Sequence, residues 1–126
     1  MTYLLAALTE RAGEFIRLRR DIHQHPELGF EEHRTAALVA DKLEGWGYAV
    51  ERGIGGTGVV GRLVRGDGSR RLGLGADMDA LPIEEANGRE WASERAGVMH
   101  ACGHDGHTAM LLAAARHPAE QGRFSG

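Results

Sequence analysis

The segment Met99-His100-Ala101-Cys102-Gly103-His104-Asp105-Gly106-His107 packs one thiol, three imidazoles and a carboxylate into nine consecutive positions. A thiolate and a neutral imidazole are good ligands for zinc and the later first-row transition metals, so this density of donors points to a divalent cation. A cysteine at a helix N-terminus has its pKa lowered toward the ligating form, and Cys102 stands just before an expected helix. Gly103 and Gly106 let the backbone bend tightly enough for neighbouring side chains to converge. A lone cysteine is more often a small buried hydrophobe and a lone histidine a polar loop residue; the clustering reverses that weighting. One continuous loop cannot aim all four thiol and imidazole groups at one ion, which makes His100 and His107 supporting groups.

A second pair of donors stands in Ala76-Asp77-Met78-Asp79-Ala80-Leu81-Pro82, at the expected end of an apolar strand. Strand ends in an α/β sheet are where sites form. Carboxylates at i and i+2 point the same way along a continuing strand, so one could ligate a metal while the other orients a ligand or holds an imidazole. A polar strand exit built from Asx turns explains the pair equally well in isolation. The neighbouring thiol and imidazoles tip it toward chemistry.

Two other patterns are weaker. Gly53-Ile54-Gly55-Gly56-Thr57-Gly58 satisfies G-x-G-x-x-G after an expected strand, but a phosphate-binding turn must open a helix, and Val59 to Val64 reads as a strand. No nucleotide site is expected there. His23-x-His25-Pro26-Glu27 groups two imidazoles and a carboxylate at a helix end, where His25 before proline is explained as cap and turn. There is no Gly-x-Ser-x-Gly elbow, and the sole cysteine sits in the metal-like loop, which argues against nucleophilic serine or cysteine catalysis.

The elements that must hold these groups are readable from periodicity. Apolar residues at Leu4, Leu5, Leu8, Ala12, Phe15, Ile16 and Ile22 predict an amphipathic helix to about His23, limited by Pro26. Thr35, Leu38, Val39, Leu43 and Trp46 predict a second helix from about Glu31 to Trp46, stopped by Gly45 and Gly47. Three short strands follow, at Tyr48 to Glu51, Val59 to Val64 and Leu72 to Ala76, separated by glycine-rich turns. A last helix is expected from Gly106, capped by Asp105, to about Arg116, closed by Pro118. The order helix, helix, strand, strand, strand, helix is an α/β arrangement, expected to continue into a further strand.

Composition sets the frame. The 126 residues are 42% hydrophobic and 26% charged, which suits one soluble domain or part of one. A net charge of −3 with both signs scattered argues against nucleic acid as a partner. The longest apolar run, near Met110 to Ala115, is far short of the roughly 20 residues needed to cross a membrane. No basic region precedes Leu4 to Leu8 as in a secretory signal, and one cysteine cannot form an internal disulfide; the expectation is a cytoplasmic protein.

Four stretches carry a resemblance: Arg20 to Leu28, Gly56 to Gly61, Ala76 to Glu85, and Gly97 to Thr108. In order and spacing they closely resemble the N-terminal part of the M20 peptidase family, in the amidohydrolase branch of hippurate, N-acyl-amino-acid and auxin-conjugate hydrolases. The resemblance implies a partial zinc-peptidase-like catalytic domain over 1–126, without the lid domain of longer relatives. It implies hydrolysis of N-acyl amino acids or related small amides by a full-length, homodimeric parent holding two divalent ions (Zn, Mn, Co or Ni) per subunit. Carried over residue by residue, it makes Cys102 and His104 metal ligands and Asp79 the acidic, catalytic residue of the family's His-x-Asp signature. Asp77 then stands where other branches place a ligating histidine, and Gly75 where relatives generally have arginine. The Glu-Glu pair and two later histidines of the family are not matched. A hydrolytic ion needs about three protein ligands and a water, so the expectation is weak partial metal binding and no activity by this chain alone. The alternative is a non-catalytic binding module, which would unfold cooperatively by itself.

Overall fold

A computed structural model describes residues 2–126. Helix α1 spans Thr2–Gln24. Leu18 and Ile22, one helical turn apart, are buried, while Leu5, Leu8 and Ile16 of the expected stripe stay exposed. The side chain of Leu4 lies outside the described residues. The helix ends where Pro26, itself buried, follows a turn closed by the His25 amide donating to the Ile22 carbonyl at 3.2 Å.

Helix α2, His33–Gly45, is shorter than expected at its start, and its cap comes from upstream. Glu27 accepts from the backbone amides of Arg34 and Thr35 at 2.7 Å each and from the Thr35 hydroxyl at 2.7 Å. These bonds satisfy first-turn amides that no intrahelical carbonyl can reach. Glu32, immediately before the helix, makes no capping bond and instead accepts from the buried Thr57 hydroxyl at 2.5 Å, tying α2 to the glycine-rich turn.

Strands β1, Ala49–Ile54, and β2, Gly58–Arg62, form an antiparallel hairpin whose register shifts between Arg52 and Ile54. Gly53 supplies the positive φ of 77° that this irregularity needs. No helix opens from the G-x-G-x-x-G turn, because Gly58 begins β2 directly. The sheet has two strands, not the expected three. Residues 72–76 run as irregular chain with Leu72 86% and Leu74 65% exposed. Alternating apolar residues make a strand only when a neighbouring backbone accepts their hydrogen bonds. Among the described residues, no backbone hydrogen bond joins this segment to another.

The chain regains partners just beyond. The Ala80 amide donates to Glu27 at 2.7 Å within a parallel bridge between Leu28 and Ala80, and Leu81 exchanges two backbone bonds with Met99 at 2.9 and 3.0 Å. Residues 77–81 are thereby held between the turn after α1 and the segment before the last helix. Helix α3 spans His104–Gln121, starting earlier and ending later than expected. Gly103, at φ 85°, is its N-cap, and Asp105 lies inside the first turn with its side chain elsewhere. Pro118 does not close the helix: in the last turn it forfeits one hydrogen bond, and Gly122 in the left-handed region ends the helix by donating to the Pro118 carbonyl at 3.0 Å. The core joins Leu18 and Ile22 of α1, Leu43 of α2 and Leu112 of α3, with Phe15, Trp46, Tyr48, Val50 and Val59 packed around them.

Candidate metal centre

The anchored segment 77–81 and the first turn of α3 meet at His104. Its Nδ1–H donates to Asp79, with the carboxylate Oδ1 at 2.9 Å and the backbone oxygen at 3.0 Å. A proton held on Nδ1 leaves Nε2 as the atom with a free lone pair, the tautomer a metal-ligating histidine needs. Nε2 lies 3.8 Å from Oδ2 of Asp77. That is too long for a hydrogen bond and within the span of two ligand atoms sharing one cation, given bonds of about 2.1 Å each. The Thr108 hydroxyl donates to the Asp77 carbonyl at 3.0 Å, fixing the Asp77 backbone to α3. His104 is largely buried, with 15% of its side chain exposed, whereas Asp77 is 79% exposed.

Cys102 is a free, exposed thiol, two residues ahead of His104. It makes no hydrogen bond to His104, Asp77 or Asp79 among the described residues. No three His, Cys, Asp or Glu side chains among those residues close around one point as a metal cage. The His107 ring packs at 5.7 Å from that of His104 and is exposed. The fixed tautomer of His104 and the free thiol fit part of a transition-metal centre: two donors of suitable chemistry, with a carboxylate opposite. They do not close such a centre by themselves.

Behind this pair lies a buried polar cluster that sequence reasoning missed. His23, at the last turn of α1, places Nδ1 2.8 Å from Oδ2 of Asp105 and Nε2 2.9 Å from Oε1 of Glu85. Arg19 adds a bond from Nε to Asp105 at 3.1 Å. Burial alone would lower the His23 pKa, but the hydrogen bonds to Glu85 and Asp105 and their charges outweigh it and raise the value above the ordinary 6.5. Burial works against the Asp105 carboxylate too, yet His23, the Gly106 amide and Arg19 bring its pKa below the usual aspartate value. Asp105 was expected as a helix cap; the fully buried carboxylate instead faces α1. His25 does act locally, donating Nδ1–H to the Asp21 carbonyl at 2.8 Å near the end of α1. His100 is buried with neither ring nitrogen bonded to protein, its ring centroid 6.2 Å from that of His23, and burial pushes its pKa down. His23 lies 62 residues from Glu85 and 82 from Asp105, so no local pattern could have announced the cluster. The available signal was weaker: His23 stands next to the apolar Ile22 in the last turn of α1.

Comparison with known proteins bears on the same residues. Residues 73–123 match Peptidase family M20/M25/M40, a stretch that contains Asp77, Asp79, Cys102 and His104. The chain is 50% identical over 123 residues to the hippurate hydrolase of Campylobacter jejuni, covering 98% of this chain and 32% of that protein. It is 48% identical over 103 residues to the N-acyl-L-amino acid amidohydrolase of Geobacillus stearothermophilus, covering 82% of this chain and 28% of that one. Its fold is similar to that of the Bacillus subtilis YXEP protein, described as a dinuclear metal binding peptidase from the M20 family. The TM-score is 0.81 at 35% identity, covering 86% of this chain and 31% of the solved one. The chain thus spans about a third of the length of the proteins it matches.

Proposed function

From the premise that the chain belongs to the M20 peptidase family, whose members matched here are amidohydrolases and peptidases, we propose that it supplies part of the metal centre of an enzyme hydrolysing the amide bond of N-acyl amino acids or related small amides. Cys102 and His104 are the ligands this chain contributes. Asp79 acts through His104, accepting its Nδ1–H so that Nε2 is the nitrogen left to meet an ion. Asp77, opposite Nε2, is an exposed carboxylate able to accept from a bound group or join the ion. A bound divalent ion supplies Lewis acidity, polarising the scissile carbonyl and lowering the pKa of a water.

The observation that carries this reading is the orientation of His104: one ring nitrogen is committed to Asp79 and the other faces Asp77 across 3.8 Å. A histidine serving only to pack or to cap needs no such arrangement. Even with Asp77 joining Cys102 and His104, three donors serve one hydrolytic ion and not two. We therefore assign two-ion hydrolysis, the lid and dimer formation to the full-length parent, with the 126-residue chain inactive and binding metal weakly.

The test is metal content per chain after exposure to Zn²⁺ or Mn²⁺ and removal of the excess, for the unaltered chain and Cys102→Ala. Weak, substoichiometric uptake abolished by the substitution is expected. Equal uptake by both would remove the thiol from the ligand set.

A further inference from the structure

Both ring nitrogens of His23 face buried carboxylates: Asp105, with none of its side chain exposed, and Glu85, with 4% exposed, around an imidazole that is itself 7% exposed. A neutral imidazole has one N–H and can satisfy only one of them; the other carboxylate would then face a lone pair in a dry site. Only the imidazolium donates to both. The groups around it are Glu85 from the segment after Asp79, Asp105 from α3, His100 from the loop before α3, and Arg19 from its own helix, the last bonded to Asp105. Asp105 keeps one oxygen, Oδ1, without a protein partner.

The connectivity gives this contact its meaning. Asp105 immediately follows His104 and turns with it in the first turn of α3. Glu85 is further anchored by accepting from the Ser93 amide at 2.5 Å, and it continues the chain from Asp77 and Asp79. His23 makes no hydrogen bond to His104 or Cys102, yet it ties the chain on both sides of the His104–Asp79 pair to the same turn of α1.

We propose that His23 is a positioning residue: its imidazolium, clasped between Glu85 and Asp105, holds the 102–104 loop against the Asp77–Asp79 segment so that the loop can take a transition-metal ion. The proposal rests on the reading of Cys102 and His104 as ligands. Loss of the His23 proton breaks one side of the clasp and loosens the loop. Ligand ionisation raises metal affinity with rising pH; loss of the clasp lowers it, so the two effects have opposite signs.

The test has two parts, both on the 126-residue chain. Amide hydrogen exchange at residues 103–107, corrected for intrinsic base catalysis, is followed without metal alongside the NMR titration of the His23 ring. Faster exchange that tracks the His23 titration, and fast exchange at every pH in His23→Gln, is expected. Exchange that stays flat through the His23 titration of the unaltered chain overturns the proposal, and this holds even if His23→Gln does not fold. In the second part, Co²⁺ uptake is read by thiolate-to-cobalt absorption across the same pH range. The unaltered chain is expected to lose affinity above the His23 titration, and His23→Gln to bind about 10- to 100-fold more weakly on the acid side without that decline. Superimposable cobalt profiles for the two overturn the positioning role alone. Uptake unchanged by Cys102→Ser, or no uptake by the unaltered chain, overturns the ligand reading instead, while the exchange result still decides whether His23 holds the loop.

Discussion

Asp79 and His104 are joined at 2.9 Å through Nδ1, and this contact turns the opposite nitrogen of the same ring toward Asp77. One carboxylate sets the chemistry that the imidazole can offer on its other side. Ala80, next in the chain, is pinned to the Glu27 carbonyl by a backbone bond of 2.7 Å, which helps hold Asp79 in place.

Removing that carboxylate should weaken the ligand without unfolding the chain. Asp79→Ala is expected to lower Zn²⁺ affinity by about 10- to 100-fold, the usual effect of losing the partner of a metal-ligating histidine. Asp79→Asn, which keeps an acceptor oxygen, should lose less. Equilibrium dialysis at fixed pH measures both, and an alanine variant that binds like the unaltered chain would mean that Asp79 does not orient His104.

The buried clasp predicts a defined pH window for stability. The His23 pKa is raised above 6.5, so its contribution is complete below pH 6.5 and is lost as pH rises through the folded value. Glu85 and Asp105 are lowered from 4.5 and 3.8, so theirs are complete above those values and are lost as pH falls. The urea midpoint should therefore be highest between pH 4.5 and 6.5 for this cluster and fall on either side. His23→Ala removes the cation between two buried carboxylates and should cost about 3–5 kcal/mol. A midpoint in the variant that still declines from pH 6.5 upward as in the unaltered chain would exclude His23 as the source.

Ile22 and Leu112 are the largest fully enclosed apolar side chains and join α1 to α3. Truncating either to alanine leaves a hole that close-packed neighbours fill only partly, at a cost of about 2–5 kcal/mol. Leu72→Ala, at a residue 86% exposed, should stay within about 0.5 kcal/mol. Denaturant titration of the three variants checks the contrast, and equal losses would contradict the assigned core.

In the hairpin, a Cβ added at Gly58 would meet the Ile54 carbonyl oxygen at 2.5 Å, a backbone contact that cannot swing aside. Gly58→Ala should therefore cost about 1–3 kcal/mol through strain. Gly73 has open space around its Cβ direction, so Gly73→Ala should be near neutral. Thermal melts of both variants test this, and a neutral Gly58→Ala would show that the hairpin can re-register.

Features with local causes are legible along the chain. The run from His100 to His107 and the i, i+2 aspartates at 77 and 79 point to the metal chemistry proposed above, because donor type and spacing are written in adjacent positions. Helical periodicity located α1, α2 and α3, and the glycines at 53 to 58 located the hairpin turn. The third strand could not be judged this way: Leu72 and Leu74 have strand-like alternation, but a strand exists only when another backbone lies alongside. Likewise, Asp105 has the composition of a helix cap, and only the arrival of His23 from 82 residues away makes it the anchor of a buried ion pair. Which carboxylate holds His104, which faces its other nitrogen and which grips His23 follows from the folded arrangement. Hydrogen bonds and charge pairing act over about 3 Å of space, whatever the distance along the chain.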